Sequence, residues 1–316
     1  MRALILTFAS LMLLIPHRLQ AGEGDPVLLR YKHPKGQQTV YKIKRAIDLE
    51  MDKLRCQALF EHKCTERLTG IGEDGTLSLS VLYENLNESL TVGGNPVMRS
   101  VYALLADRPF GIDLRPWGIL AGFTPPNLGA SDIYDRELLD LLAPGLELYN
   151  GLCAPVLPEE PVGVGDTWTA EREYDASYAA VGRDAKLKVK STFEVKKAKK
   201  QKGSRCFEIE EKLEVTSLEI YVFGDQVMSA EGTGTGEAKF LFDYEQGLIR
   251  KYDSKFQLKA DAEILRGIAQ EVGAQKSVDR WAASSAADLR SQKMTGPAKI
   301  DISSKRELKK VQKVKE

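Results

Sequence analysis

The sequence predicts a β-rich α+β protein: a curved, open barrel-like antiparallel sheet of about ten strands, built from two duplicated halves with one or two covering helices. Three observations lead there. Long stretches alternate apolar and polar residues with a period of two, as strands with one buried face do. Glycine-containing turn signals punctuate those stretches. The chain also carries a faint copy of itself at an offset of about 130 residues: Val97-Met98 recurs as Val227-Met228, and Phe110, Ile112 and Asp113 as Phe240, Phe242 and Asp243. The turn glycines follow the same offset, Gly36 with Gly165, Gly75 with Gly203 and Gly118 with Gly247.

Residues 1–21 read as a signal peptide, because Arg2 precedes an apolar run from Ala3 to Pro16 that is too short to cross a bilayer. A mature chain starting near residue 22 would be exported, periplasmic or secreted. It carries no cysteine near the cut for a lipid anchor and no later transmembrane run. Loss of Arg2 and Arg18 leaves 43 basic residues against 45 acidic ones, so no electrostatic case for nucleic acid arises.

The first half spans about 28–120. Tyr41, Ile43, Ile47, Leu49 and Met51 share one strand face, and Ala58, Phe60 and Leu68 another. Residues 121–164 read as a connector, with a capped helix from Ser131 to Ala143 stopped by Pro144-Gly145 and an extended run through Pro155, Pro158 and Pro161. The second half spans about 165–262. Leu187, Val189, Phe193 and Val195 alternate with lysines, Phe207, Ile209, Leu213 and Val215 with charged residues, and 228–244 with polar ones. A weaker helix follows over 266–294. Residues 295–316 read as a basic tail, in which Ser304-Lys305-Arg306-Glu307 has the form of a capping box.

Gly232, Gly234 and Gly236 leave one face of their strand bare, and three alternating glycines mark the close approach of something else. A covering helix or sharp coiling of the sheet would account for them. So would a hydrophobic, lipid-like ligand lined by Phe240, Phe242 and Trp168. Lys305, Arg306, Lys309 and Lys310 are the candidate contact to an anionic surface. Cys56, Cys64, Cys153 and Cys206 permit up to two disulfides whose pairing the spacing leaves open.

Enzyme signatures are thin: His33 and His62 are the only histidines after residue 21, and no nucleophile elbow or zinc-protease helix occurs. Glu61-His62 with Cys64 reads as a core histidine rather than a metal site. Asp113 and Asp243 read as turn-forming. No catalytic residue, metal or cofactor is expected.

The run Pro155-Val156-Leu157-Pro158-Glu159-Glu160-Pro161-Val162-Gly163-Val164-Gly165-Asp166-Thr167-Trp168 resembles a segment of an uncharacterised family of exported bacterial envelope proteins. Lys35-Gly36 and the Gly247 turn agree with it in kind. The resemblance implies an architecture similar to Lol-type lipoprotein carriers, with helices held against a curved sheet and an apolar cavity between. The expected function is non-enzymatic binding of a hydrophobic ligand in the cell envelope. The alternative is a protein–protein or cell-wall interaction module with a filled interior.

Overall fold

A computed structural model describes residues 26–51, 54–96, 105–127, 155–175, 185–221, 227–230, 233–261 and 297–313. The signal peptide, the expected helices over 131–143 and 266–294, Gly232 and Cys153 lie outside these residues. Thirteen strands are present among them. The first half supplies β1 (Gln37–Met51), β2 (Leu54–Ile71), β3 (Leu77–Val92), β4 (Asn95–Pro96), β5 (Phe110–Leu114) and β6 (Leu120–Thr124). The second supplies β7 (Thr167–Asp175), β8 (Ala185–Gln201), β9 (Ser204–Tyr221), β10 (Val227–Ala230), β11 (Thr233–Asp243) and β12 (Leu248–Asp261), and β13 (Pro297–Lys313) follows.

All belong to one open sheet in the order β6-β5-β3-β2-β1-β13-β12-β11-β9-β8-β7, with β4 beside β3 and β10 beside β9. Each half runs through its hairpins in the same order. Gly75 and Gly203 turn β2 into β3 and β8 into β9, and Gly118 and Gly247 turn β5 into β6 and β11 into β12. β6 carries the first half past residue 120, into what reads from sequence as connector.

The reading of 295–316 as a basic tail with a capped helix is overturned. β13 pairs with β1 on one side and β12 on the other, antiparallel to both. A strand puts Ser304, Arg306 and Leu308 on one face and Lys305 and Glu307 on the other. The first three pack inward, and the capping-box spacing of Ser304 and Glu307 has no helix to cap.

The alternation seen in sequence sorts the two faces as expected. Tyr41, Ile43, Phe60, Leu79 and Val81 build one core cluster with Leu308 and Leu248. Phe193, Val195, Phe207, Ile209, Phe240 and Phe242 build the second, and there two segments of non-strand chain fill the interior. Residues 26–34 and 155–166 cross it as straps. Val27 and Val162 exchange backbone hydrogen bonds at 2.8 and 3.0 Å, and Leu29 and Leu157 are buried to 0% and 1% exposure.

The straps are tied to the hairpin ends of both halves. Tyr31 N donates to Pro116 O, Leu157 N to Trp117 O, and Lys32 N to Gly247 O, at 2.6, 2.8 and 3.0 Å. Gly118 and Gly247 have φ of +95° and +67°, and a Cβ at Gly247 would stand 2.5 Å from Lys32 N. A side chain at either turn collides with a strap as well as straining the backbone. Gly247→Ala should therefore lower stability in urea unfolding by about 2–4 kcal/mol, from strain plus displaced strap. Gly165→Ala has the same sign of φ but open space around its Cβ, so it should lose only the smaller strain component.

Candidate ligand-binding site

Where the straps stop, the inner face opens. A partly enclosed cavity of about 90 Å³ lies between β1, β2, β3, β5 and β13, roofed by Tyr31, Lys32 and His33 of the first strap. Strand alternation aims Leu77, Leu79 and Val81 of β3 and Phe110 and Ile112 of β5 into it. The opposite wall is polar: Tyr41 and Arg45 from β1, Cys64 and Glu66 from β2, and Ser304 and Arg306 from β13.

Arg306 is the centre of that wall. Its Nη2 donates to Glu66 Oε1 at 2.7 Å, and its guanidinium lies 3.7 Å over the Tyr41 ring. Thr39 Oγ1 donates to the other carboxylate oxygen at 3.4 Å, and His33 Nε2 lies 3.1 Å from the same hydroxyl. Burial drives the chemistry here. It pushes the Cys64 thiol and the Tyr31 phenol upward and the Tyr41 phenol up to about 12, so all three stay protonated. It lowers the pKa of His33, and that of His62 to about 3, the latter aided by the charge of Arg45.

The sequence-predicted site divides. Phe240 and Phe242 are fully buried, packed with Leu29, Leu157 and Val162 of the straps. Trp168 stacks on Phe193 at 4.9 Å and donates from Nε1 to Val156 O at 2.9 Å. Neighbouring strands crowd both glycines, a Cβ at Gly234 standing 2.6 Å from Val215 Cγ2 and one at Gly236 3.0 Å from Lys255 O, while Gly236 also lines an open groove of about 1050 Å³ with Leu213 and Phe256. What approaches these glycines is the sheet itself, chiefly the Val215 side chain at Gly234 and the backbone of Lys255 at Gly236. Phe240 and Phe242 therefore sit in packed core away from the enclosed cavity, while Trp168 lines an open groove of about 750 Å³ along the second strap.

The candidate surface patch also divides. Lys305, Lys309 and Lys310 are exposed, but Arg306 is only partly so, since the alternation of β13 turns it inward onto Glu66. Lys305 and Lys309 face Asp253 and Glu307 at 3.5 and 2.7 Å. The lysine-rich β8–β9 hairpin is matched in the same way, Lys197 and Lys199 both pairing with Glu208.

Cys64 and Cys206 are free, buried thiols. Cys206 is buried near the corner where Arg250 bridges Asp243 and Ser204. Asp243 caps its turn as expected, accepting from Glu245 N and Gln246 N at 3.1 and 2.9 Å. Asp113 does a different job, accepting from the Ser78 hydroxyl at 2.7 Å. His62 is a core histidine against the Tyr83 ring, at 4.3 Å. Cys56 lies on β2 opposite Leu49 and Val92.

No protein family model matches the chain, and no curated protein matches it. Solved structures do. The fold is similar to part of lipovitellin. A lipovitellin chain whose structure concerns lipid–protein interactions superposes with a TM-score of 0.52 at 9% identity, covering 90% of this chain and 26% of that one. The present chain thus spans about a quarter of its length. A putative exported protein with a YmcC-like fold from Bacteroides fragilis matches at 7% identity over 90% of this chain and all of that one, with a TM-score of 0.24. A DUF1329 family protein from Desulfovibrio piger matches at 7% identity over 88% and 86% of the two chains, with a TM-score of 0.15. Superpositions that loose add nothing to the fold assignment. No helix among the described residues is long and apolar enough to cross a membrane.

Two outcomes follow from the buried charges. Arg306→Ala strands the Glu66 carboxylate and should cost about 3–5 kcal/mol in urea unfolding, whereas Arg306→Met with Glu66→Gln should cost clearly less. His62 is neutral when folded and takes its proton near pH 6.5 when unfolded, so its contribution is full above that pH and is lost as pH falls toward 3. His62→Leu should flatten the stability–pH profile between pH 6 and 4 by roughly 2–3 kcal/mol.

Proposed function

We propose that the chain is an exported, non-enzymatic cell-envelope protein that holds a hydrophobic, lipid-like ligand against the inner face of its sheet. The observation that carries the reading is the enclosed, largely apolar cavity under Tyr31 and His33, beside the core that Leu29, Leu157 and Val162 help to build. A well-packed core leaves few voids larger than a water molecule, so such a space favours a ligand role.

The inner walls belong to an open sheet whose ends are bridged by the second strap, where Val156 and Leu157 bond Trp168 of β7 and Trp117 beside β6. This supports a curved, barrel-like arrangement. The repeated hairpin order supports two related halves. Fold alone does not settle function, and the lipid reading stands on the cavity. Export rests on the signal-like residues 1–21, with no lipid-anchored cysteine, no nucleic-acid surface and no transmembrane helix in the proposal.

Native mass spectrometry of the protein isolated from its own compartment should show a stoichiometric adduct that partitions into organic solvent as a lipid. A bare polypeptide mass would contradict the proposal and favour an interaction module instead.

A further inference from the structure

The polar wall of the cavity leaves one strong donor unanswered. The oxygens of Glu66 receive Arg306 Nη2 at Oε1 and Thr39 Oγ1 at Oε2. Arg306 Nε is buried with no hydrogen-bond partner. A guanidinium has five N–H donors, accepts nothing and does not give up its charge, so an unanswered N–H there is costly. Arg45 adds a second buried cation to the same lining. The chemistry missing at Arg306 Nε is an acceptor oxygen, and a further cation would be repelled by Arg306 and Arg45.

The opposite wall offers only hydrocarbon, from Leu77, Leu79, Val81, Phe110 and Ile112. At about 90 Å³ the space is smaller than the ~150 Å³ apolar cavity that takes up benzene, so it suits a single short chain segment and not a whole two-chain lipid.

We infer that this cavity receives the acyl end of its ligand, with a carboxylate or ester oxygen at Arg306 and the first methylenes against β3 and β5. The inference rests on the hydrophobic-ligand reading and narrows it to acyl compounds. An oxygen placed there would accept from Arg306 Nε, and a carboxylate would gain a charge-assisted bond. Free acids and ester lipids share this chemistry.

Calorimetric titration of the full chain with octanoate, methyl octanoate, octanol and octylamine separates head from tail. Octanoate or methyl octanoate should bind at least tenfold more tightly than octanol, and octylamine should give no binding. Preference for octanoate assigns a free acid as the source, and preference for the ester assigns an ester lipid. Arg306→Met with Glu66→Gln removes both charges without stranding one, and should bring the acyl probe down to the octanol level while leaving octanol unchanged. Leu79→Trp, with Arg306 intact, fills the apolar side and should abolish all binding. Octylamine binding as tightly as octanoate, or acyl binding untouched by the double variant, would overturn the inference and leave a hydrophobic ligand in place. Silence toward all four probes by a protein that nonetheless carries a lipid when isolated would place that lipid elsewhere and also overturn it. Silence combined with a bare isolated protein would remove the broader reading too.

Discussion

The last strand decides whether this chain is one sheet or two. β1 and β12 run in the same direction, because each is antiparallel to β13. Without β13 they could join only as a parallel pair, the weaker ladder, or leave long edges unpaired. Inserting β13 makes every pairing of the named strands antiparallel and merges the interiors of the two halves. It also imposes a cost. A strand at the middle of a sheet must present one face to the core, and here that face carries Arg306. The Glu66 carboxylate and the Tyr41 ring answer it, and a buried pair of this kind is tolerated because its partners are hydrogen-bonded. The candidate site is thus a by-product of the seam: the guanidinium lies where the halves meet, and the unfilled space lies beside it.

The straps explain where the enclosed space lies. Both enter from the hairpin ends, where Gly118 and Gly247 let backbone approach backbone, and both lay their apolar residues over β8, β9, β11 and β12. The first strap then turns into β1 at Pro34 and Gly36, so its last residues, Tyr31 to His33, roof the cavity without filling it. Packing, charge and access to the site are therefore governed by the same few residues. The Tyr31 ring meets Phe242 edge-on at 5.5 Å on one side and lines the cavity on the other.

Much of this was legible in the sequence. The antiparallel class, the inward sets of β1, β8, β9 and β11, and the turns at Gly75, Gly203 and Gly247 follow from period-two alternation and turn chemistry, which are local. β13 was not legible. Ile300, Ile302, Leu308 and Val311 are few among lysines, and an inward arginine breaks the alternation that marks a strand. The bulge between Val40 and Tyr41 shifts the register opposite Lys309, which hides the period further. The glycine strip is a related case. Glycines on a strand announce that something comes close, but only the fold says that it is Val215 and Lys255. The acid–base pair of Arg306 and Glu66, 240 residues apart in sequence, left no local signal at all.

A crystal structure of the protein taken directly from its native compartment tests the central claim most directly. The account predicts continuous density in the cavity bounded by Leu79, Phe110 and Arg306, with an oxygen within hydrogen-bonding distance of the guanidinium and an apolar tail against β3. A cavity collapsed by inward-turned side chains, or holding only isolated waters in protein shown to be functional, would contradict it.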